Sequence, residues 1–357
     1  DAGIVSRGML ERIIVSGAFI AVVFMAQSWT NFMGGTAEQQ STILFTLFVV
    51  FQLFNAFNSR ELGNASLFAN LLRNKVMIGV FALMFALQVL VVQFGGAMFR
   101  TVPLPIDMWL KIIAVGFGVV VLQEVIKTVK RAAAAIRALT TRRCAGEPLA
   151  HITGRREFFG RDFEVSPQTL IPRPETELLL EIVLRECEGH GEVRFADLGT
   201  GTGCIGITLA RELPHSRGLL LEYSAGALPV AARNISSLQA ADRLALVRGD
   251  MFTPPLLPQG LDVLVSNPPY IAAAEEDEVM AEVLHHEPHS ALFSEQDGLR
   301  HLHAVIRSGQ QALKPGGLIA MEHGYRQGEA VRRLLMEAGY GAPRTEQDLA
   351  GLDRCTW

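Results

Sequence analysis

The chain has 357 residues, enough for two domains at roughly 150 residues each, and 49% of them are apolar while only 19% are charged, for a net charge of −4. This excludes a disordered or collagenous chain, and it is too apolar for one ordinary soluble enzyme. Residues 1–130 hold nine Lys/Arg and six Asp/Glu, whereas 131–357 hold 23 and 30, so an acidic polar part with net charge −7 follows an apolar part with net charge +3, which argues against a direct nucleic-acid partner because phosphate backbones select for Lys and Arg.

Four apolar runs come first. A bilayer core takes about 20 mostly apolar residues per helix, and such runs cover Ile13–Trp29, Ile43–Phe57, Val76–Phe94 and Met108–Ile126. The second reaches spanning length only when Gln39 to Thr42 are included. Three further runs follow the first and no small-residue cleavage site stands out before Trp29, so the first reads as a span and not as a signal peptide. Soluble buried helices are the poorer reading, since nothing amphipathic remains to cover them. Arg7 and Arg12 precede the first run, Arg60, Arg73 and Lys75 lie between the second and third, and Lys127, Lys130, Arg131 and Arg137 follow the fourth. The alternate loops are nearly bare: 30–41 holds no Lys or Arg, and 95–107 holds Arg100 alone. Positive loops stay cytoplasmic. The expectation is an all-α, four-helix transmembrane segment over 1–130, in the inner or plasma membrane, touching lipid through residues 13–126, with all that follows in the cytoplasm. Gln52, Asn55, Gln88, Gln93 and Glu124 lie within or near the spans and read as inter-helix hydrogen-bonding groups.

The stretches SRGMLERII (6–14), FQLFNAFNSRELG (51–63), NKVM (74–77), LQVLVVQFGG (87–96) and WLKI (109–112) resemble the last four transmembrane helices of P-type calcium-transporting ATPases. No D-K-T-G phosphorylation loop and no nucleotide domain accompanies them here, so the resemblance does not imply aspartyl-phosphate chemistry. Residues 131–147 read as a linker, and Arg131 to Leu139 is expected to be helical because alanine is the best helix former. The four cysteines, Cys144, Cys187, Cys204 and Cys355, form no C-x-x-C pair and no set with His at metal spacing. They read as reduced cytosolic thiols, with no disulfide scaffold and no metal site expected.

From Pro148 onward short β-rich runs alternate with helical stretches. Val193 to Leu198 reads as a buried strand, Gly199-Thr-Gly-Thr-Gly203 as a glycine turn, and Cys204 to Leu213 as a helix, which together open a doubly wound α/β sheet. The glycines let backbone N–H groups approach a ligand closely, and the helix start adds a positive dipole end. Glu222 closes the next strand, Leu219-Leu-Leu-Glu222, where a carboxylate accepts both hydroxyls of a ribose, whether that of NAD or of S-adenosylmethionine. Asp250 follows a third strand, Leu246-Val-Arg-Gly-Asp250, and is placed to meet an adenine amino group. A further strand, from Leu261, runs straight into Asn267-Pro268-Pro269-Tyr270. Two prolines have fixed φ and no N–H, so the chain leaves the sheet there. The Asn267 side chain and the Pro268 carbonyl become two acceptors for an amide or aromatic amino nitrogen, drawing its lone pair toward an electrophile. Tyr270 offers a ring face to the planar group.

These motifs join Gly146-Glu-Pro-Leu-Ala-His-Ile-Thr-Gly154, Glu157-Phe-Phe-Gly160, Leu170-Ile-Pro-Arg-Pro-Glu-Thr-Glu177, Glu287-Pro288, Leu313-Lys-Pro-Gly-Gly317 and Glu322-His-Gly324. From about Thr140 to Trp357 the set resembles the protein-glutamine N5-methyltransferases that modify the Gly-Gly-Gln loop of peptide-chain release factors. Asn-Pro-Pro-Tyr alone also fits nucleic-acid amino-methyltransferases, and the Ile171-Pro-Arg-Pro-Glu175 block favours the protein enzyme. A pump-like membrane fragment with an inactive passenger is the third reading, and cofactor binding separates it from the other two. The resemblance implies a doubly wound, Rossmann-like, seven-strand methyltransferase domain over 148–357 that uses S-adenosyl-L-methionine. It assigns Asp197, Gly199, Thr200, Gly201, Gly203, Glu222, Asp250 and Asn267 to the cofactor, and Asn267, Pro268 and Tyr270 to the chemistry. Pro269, Arg173 and Glu175 join Asn267, Pro268 and Tyr270 against a release factor as protein substrate. The sequence departs from the family at Glu222, where Asp is usual, at His285-His286, and ahead of the catalytic domain, where membrane segments stand in place of a small helical domain. His151, His323 and the His285-His286 pair are not assigned as bases.

The loop charges make a topological prediction. A reporter fused after Lys130 is expected to behave as cytoplasmic and one inserted near Thr36 as external; an external Lys130 fusion would require an odd number of spans.

Overall fold

A computed structural model describes residues 7–60, Ser66, Phe68 and 75–357. Arg73 and the last three residues of the FQLFNAFNSRELG stretch lie outside the described residues. Contacts divide the chain into two units, 1–138 and 139–357.

In the first unit the four apolar runs form helices α1 (Arg7–Thr30), α2 (Gln40–Arg60), α3 (Lys75–Phe94) and α4 (Ile106–Cys144), each long and apolar enough to cross a membrane. The second therefore reaches spanning length as a helix, as expected once Gln40 to Thr42 are included. Aromatic pairs bring the helices together: Phe19 meets Phe51 edge-on at 6.0 Å, Phe57 meets Phe81 at 4.7 Å and Phe85 meets Trp109 at 5.8 Å. Many large apolar side chains stay exposed, Ile13, Val76 and Leu90 among them, which suits a bilayer rather than water. Gln93 does donate to the Leu104 carbonyl, at 2.7 Å. Gln52 is exposed, however, and Gln88 Nε2 is buried without a partner among the described residues. Further inter-helix polar contacts are those of Gln123 Nε2, which donates to Ser16 Oγ at 2.9 Å, and Asn58 Nδ2, which donates to the Val119 carbonyl at 3.3 Å. The Ala/Arg stretch is helical as expected, being a continuation of α4, and from Arg131 to Cys144 that helix is exposed all round.

In the second unit a one-turn helix, Leu149–Thr153, precedes a short antiparallel hairpin, β1 (Arg155–Phe158) and β2 (Arg161–Glu164), turned through Phe159 and Gly160 at positive φ. Helix α5 (Thr176–Glu186) follows. Then come β3 (Val193–Leu198), α6 (Cys204–Glu212), β4 (Ser216–Glu222), α7 (Leu228–Ser237), β5 (Leu244–Arg248) and β6 (Leu261–Ser266), and last α8 (Arg300–Ala312), β7 (Leu313–Glu322), α9 (Gly328–Glu337), β8 (Thr345–Gln347) and β9 (Asp353–Thr356). The strands form one seven-stranded sheet in the order β5-β4-β3-β6-β7-β9-β8. The first five in that order run parallel, and β9 is antiparallel to both β7 and β8. Alternation along each strand feeds two cores. Phe195, Leu220, Val263 and Val265 pack with Leu179 and Ile207 on one face, while Ala196, Leu198, Leu221 and Leu264 pack with Leu302, Val305 and Val331 on the other. This is the expected doubly wound fold. The chain leaves β3 toward β4 and leaves β6 toward β7, which lie on opposite sides, so a crevice opens above the carboxyl ends of β3 and β6.

Candidate active site

The glycine loop leaves β3 through Gly199, Gly201 and Gly203, all at positive φ, and it is held from below by carboxylates. Asp197 is fully buried; its Oδ2 accepts from Thr200 Oγ1 at 2.5 Å and from the Gly206 N–H at 3.1 Å. Glu222, at the end of β4, accepts from the Gly201 N–H at 2.8 Å and from the Ser224 N–H at 2.7 Å, one on each oxygen. Asn234 of α7 secures the far side, its Nδ2 donating to the Thr202 carbonyl at 2.9 Å and to the Glu164 carbonyl at 3.0 Å. A cleft of about 370 Å³ opens above this loop, lined by Gly199, Gly201, Glu222, Asp250, Asn267 and Pro269, with Tyr223, Met251, Phe252 and His301 as further walls.

The expected cofactor residues thus separate into two sets. Gly199, Gly201, Glu222, Asp250 and Asn267 line the cleft, whereas Asp197, Thr200 and Gly203 lie behind it. Thr200 is buried and spends its hydroxyl proton on Asp197. A Cβ on Gly203 would come within 2.8 Å of Ile207 Cδ1, so that glycine serves packing at the start of α6. A Cβ on Gly201 would meet nothing within 4 Å, since it would stand in the cleft. Each Glu222 oxygen accepts one backbone N–H and keeps further lone pairs for a diol. The Phe252 N–H donates to Asp250 Oδ1 at 2.9 Å, leaving Oδ2 for an amino group. Asp197 Oδ1 is buried with no partner among the described residues. A nucleoside fits such a cradle.

A second cavity, of about 670 Å³, is lined by Arg173, Glu175, Asn267, Tyr270, Glu322 and Arg354, among others. Asn267 lines both cavities, Pro269 the first and Tyr270 the second, while Pro268 is buried and lines neither. Arg173 pairs with the buried Glu287, Nη2 to Oε1 at 2.5 Å, and Glu287 Oε2 accepts the Ile171 N–H at 2.9 Å. The Ile-Pro-Arg-Pro-Glu block is thereby fixed as one wall. Asn267 Nδ2 donates to Thr176 Oγ1 at 3.2 Å, Thr176 donates to Glu322 Oε2 at 2.7 Å, and the Tyr270 hydroxyl donates to Glu322 Oε1 at 3.1 Å. Sequence reasoning gave Thr176 and Glu322 no role, although both stand inside quoted motifs. Tyr223, Phe252 and His301 carried no local signal.

His323 and His151 stand apart from this geometry. His323 is buried, its ring nitrogens engaged with Thr356 Oγ1 at 2.8 Å and the Gly324 carbonyl at 2.9 Å, and burial holds its pKa below the usual range. Burial likewise lowers His151, whose ring nitrogens have no partner among the described residues. No group of His, Cys, Asp and Glu suited to a metal occurs among the described residues.

Strand order, glycine loop and paired cavities define a methyltransferase of the doubly wound kind, and residues 174–311 match the family model "Methyltransferase small domain". The chain belongs to the release factor glutamine methyltransferase family. It is 46% identical over 218 residues to the release factor glutamine methyltransferase of Nitratidesulfovibrio vulgaris, covering 60% of this chain and 74% of that one. It is 43% identical to those of Burkholderia pseudomallei and Bordetella pertussis, covering 61% and 62% of this chain and 78% and 81% of theirs. Residues 1–129 match a second family model, "Cation transporting ATPase, C-terminus".

Burial pushes the Asp197 carboxyl up to about 7, against the hydrogen bonds from Thr200 and Gly206 that pull it down. An ordinary Asp in the unfolded chain titrates near ~3.9. Because the folded pKa is the higher, this group's contribution to stability is fully present below about pH 4 and is lost as pH rises through about 7. Asp197→Asn cannot titrate. Its thermal midpoint relative to wild type is expected to rise from pH 5 to pH 8, and an offset independent of pH would show that Asp197 does not titrate in that window.

Proposed function

We propose that the enzyme transfers a methyl group from S-adenosyl-L-methionine to the side-chain nitrogen of the glutamine in the Gly-Gly-Gln loop of a release factor, at the cytoplasmic face of a membrane that residues 13–126 cross. The observation that carries this reading is that Asn267 lines both cavities, so one amide stands where a cofactor cleft and a substrate cavity meet.

S-adenosylmethionine supplies an electrophilic methyl group on a sulfonium. Glu222 would hold its ribose hydroxyls, Asp250 its adenine amino group, and the Gly199–Gly203 loop its methionine part. Asn267 Oδ1, which no hydrogen bond engages among the described residues, would accept one N–H of the glutamine amide; Pro268 is buried and lines neither cavity, so its carbonyl would take the other N–H only with the substrate drawn in past Asn267. Accepting both draws the nitrogen lone pair out of conjugation, and these acceptors strengthen as charge builds on nitrogen. The amide proton becomes acidic only as the N–C bond forms, so no strong base is needed and orientation carries much of the rate. Tyr270 would pack against the amide plane while its hydroxyl remains committed to Glu322.

Gly201→Val is expected to abolish S-adenosylmethionine binding measured calorimetrically on the full chain in detergent, because its side chain would occupy the cleft at a φ that β-branched residues avoid. Retained affinity would remove the loop from the cofactor site.

Asn267→Ala is expected to lower the rate of radiolabelled methyl transfer to a release factor by about a hundred- to a thousandfold, or ~3–4 kcal/mol of transition-state stabilisation. Cofactor affinity should change less than about threefold. A substrate with Gly-Gly-Ala in the loop should take no label, and wild-type rates in Asn267→Ala would remove the amide-acceptor mechanism.

A further inference from the structure

Asn267 works as an acceptor only if its amide faces the right way. The two ends of the amide are nearly the same size, so packing selects weakly between Oδ1 and Nδ2, and the choice falls to hydrogen bonds. The neighbour that decides is Thr176, the first residue of α5, whose Oγ1 lies 3.2 Å from the Asn267 amide. A threonine hydroxyl has one proton. Here it is donated to Glu322 Oε2 at 2.7 Å, so Oγ1 can only accept on its other side. An amide turned the other way would face oxygen to oxygen with no proton between them, in a place where Thr176 is only 2% exposed.

Glu322 sets the direction of this chain. It is 1% exposed at the end of β7 and receives two O–H donors, Thr176 on one oxygen and Tyr270 on the other. Burial pushes its carboxyl up, and the two hydroxyls and the Arg354 charge oppose that push. Each of its oxygens takes one hydroxyl as donor, so both hydroxyl protons point toward it. The two adjacent hydrogen bonds then fix Asn267 Nδ2 toward Thr176 and leave Oδ1 for the substrate.

We propose that Glu322 and Thr176 are positioning residues for methyl transfer: a buried carboxyl group two hydrogen bonds from Asn267 orients the Asn267 amide so that its oxygen, and not its NH2, meets the substrate glutamine. This rests on the reading of Asn267 as the acceptor of the substrate amide. Neither residue touches the substrate nitrogen; both act through Asn267.

The test uses the full chain in lipid nanodiscs, with an intact release factor and S-adenosylmethionine. Thr176→Val keeps shape but removes the acceptor for Nδ2. Its kcat is expected to fall about ten- to a hundredfold, the scale of a misoriented catalytic group, with KM for the release factor and cofactor affinity each changed less than about threefold. Thr176→Ser restores the hydroxyl and is expected to recover most of that loss. Glu322→Gln presents an NH2 to one of the two hydroxyls and is expected to lower kcat on the same scale, and the double variant Thr176→Val/Glu322→Gln should be no slower than the slower single, because both act through one amide. A readout independent of turnover is the Asn267 side-chain signal in 15N-asparagine-labelled protein: slowed exchange of one Nδ2 proton in wild type and in Thr176→Ser, lost in Thr176→Val. Unchanged kcat in Thr176→Val, or a serine variant as slow as the valine one, would overturn the proposal, as would an Asn267 signal indifferent to Thr176. Slow Asn267→Ala beside fast Thr176→Val would sink the positioning role alone, whereas wild-type rates in Asn267→Ala would sink the acceptor reading beneath it.

Discussion

The crevice above β3 and β6 exists because connections leaving two neighbouring parallel strands run in opposite directions, and the chemistry assigned to this enzyme is placed by that one topological constraint. β3 ends in the glycine loop and β6 in Asn-Pro-Pro-Tyr, and these strands are paired with Asp197 opposite Val265. Neither loop could be moved without re-registering the centre of the sheet. The prolines matter for the same reason, since they remove the N–H groups that would let β6 continue past its neighbour.

Buried carboxylates translate that topology into loop geometry. Asp197 joins the glycine loop to the start of α6, Glu222 joins the same loop to the segment after β4, Glu287 joins the Ile171 and Arg173 wall to the end of the short helix Ala281–His286, and Glu322 joins α5 to the turn after β6. A buried carboxylate is costly unless it is well hydrogen-bonded. Here the ligands come from segments distant in sequence, so the compensation arrives only when the sheet is assembled. Asp197 keeps one oxygen unpartnered among the described residues, and this is the polar group that the loop leaves unsatisfied beside the site.

The first unit has four helices long and apolar enough to cross a membrane. Many of its large apolar side chains are exposed, and its interior is joined by Phe pairs and by Gln123–Ser16 and Asn58–Val119 hydrogen bonds. Such contacts favour helix association in lipid, where apolar burial gives little drive. The charge division between the parts, +3 against −7, has the same origin.

The sequence alone determined the two materials, the four helices, the doubly wound sheet and the two loops at its carboxyl edge, because each depends on local information: run length, strand–turn–helix order, and residues with restricted φ. It also singled out Glu222, Asp250, Gly201 and Asn267, which the structure brings to one cleft, since each stands at or within three residues of the end of a legible strand. What only the tertiary structure decided is which side each residue faces and what it touches across the sheet. The family resemblance assigns Thr200 and Gly203 to the cofactor, yet one is engaged with Asp197 and the other packs against Ile207. The partners of Gln123 and Asn58 lie 107 and 61 residues away in sequence. Thr176 and Glu322 are separated by 146 residues and Thr176 and Asn267 by 91, so no window of sequence contains the hydrogen-bond chain that orients the amide. A hydroxyl proton has one direction, and that direction exists only once α5, β6 and β7 have met.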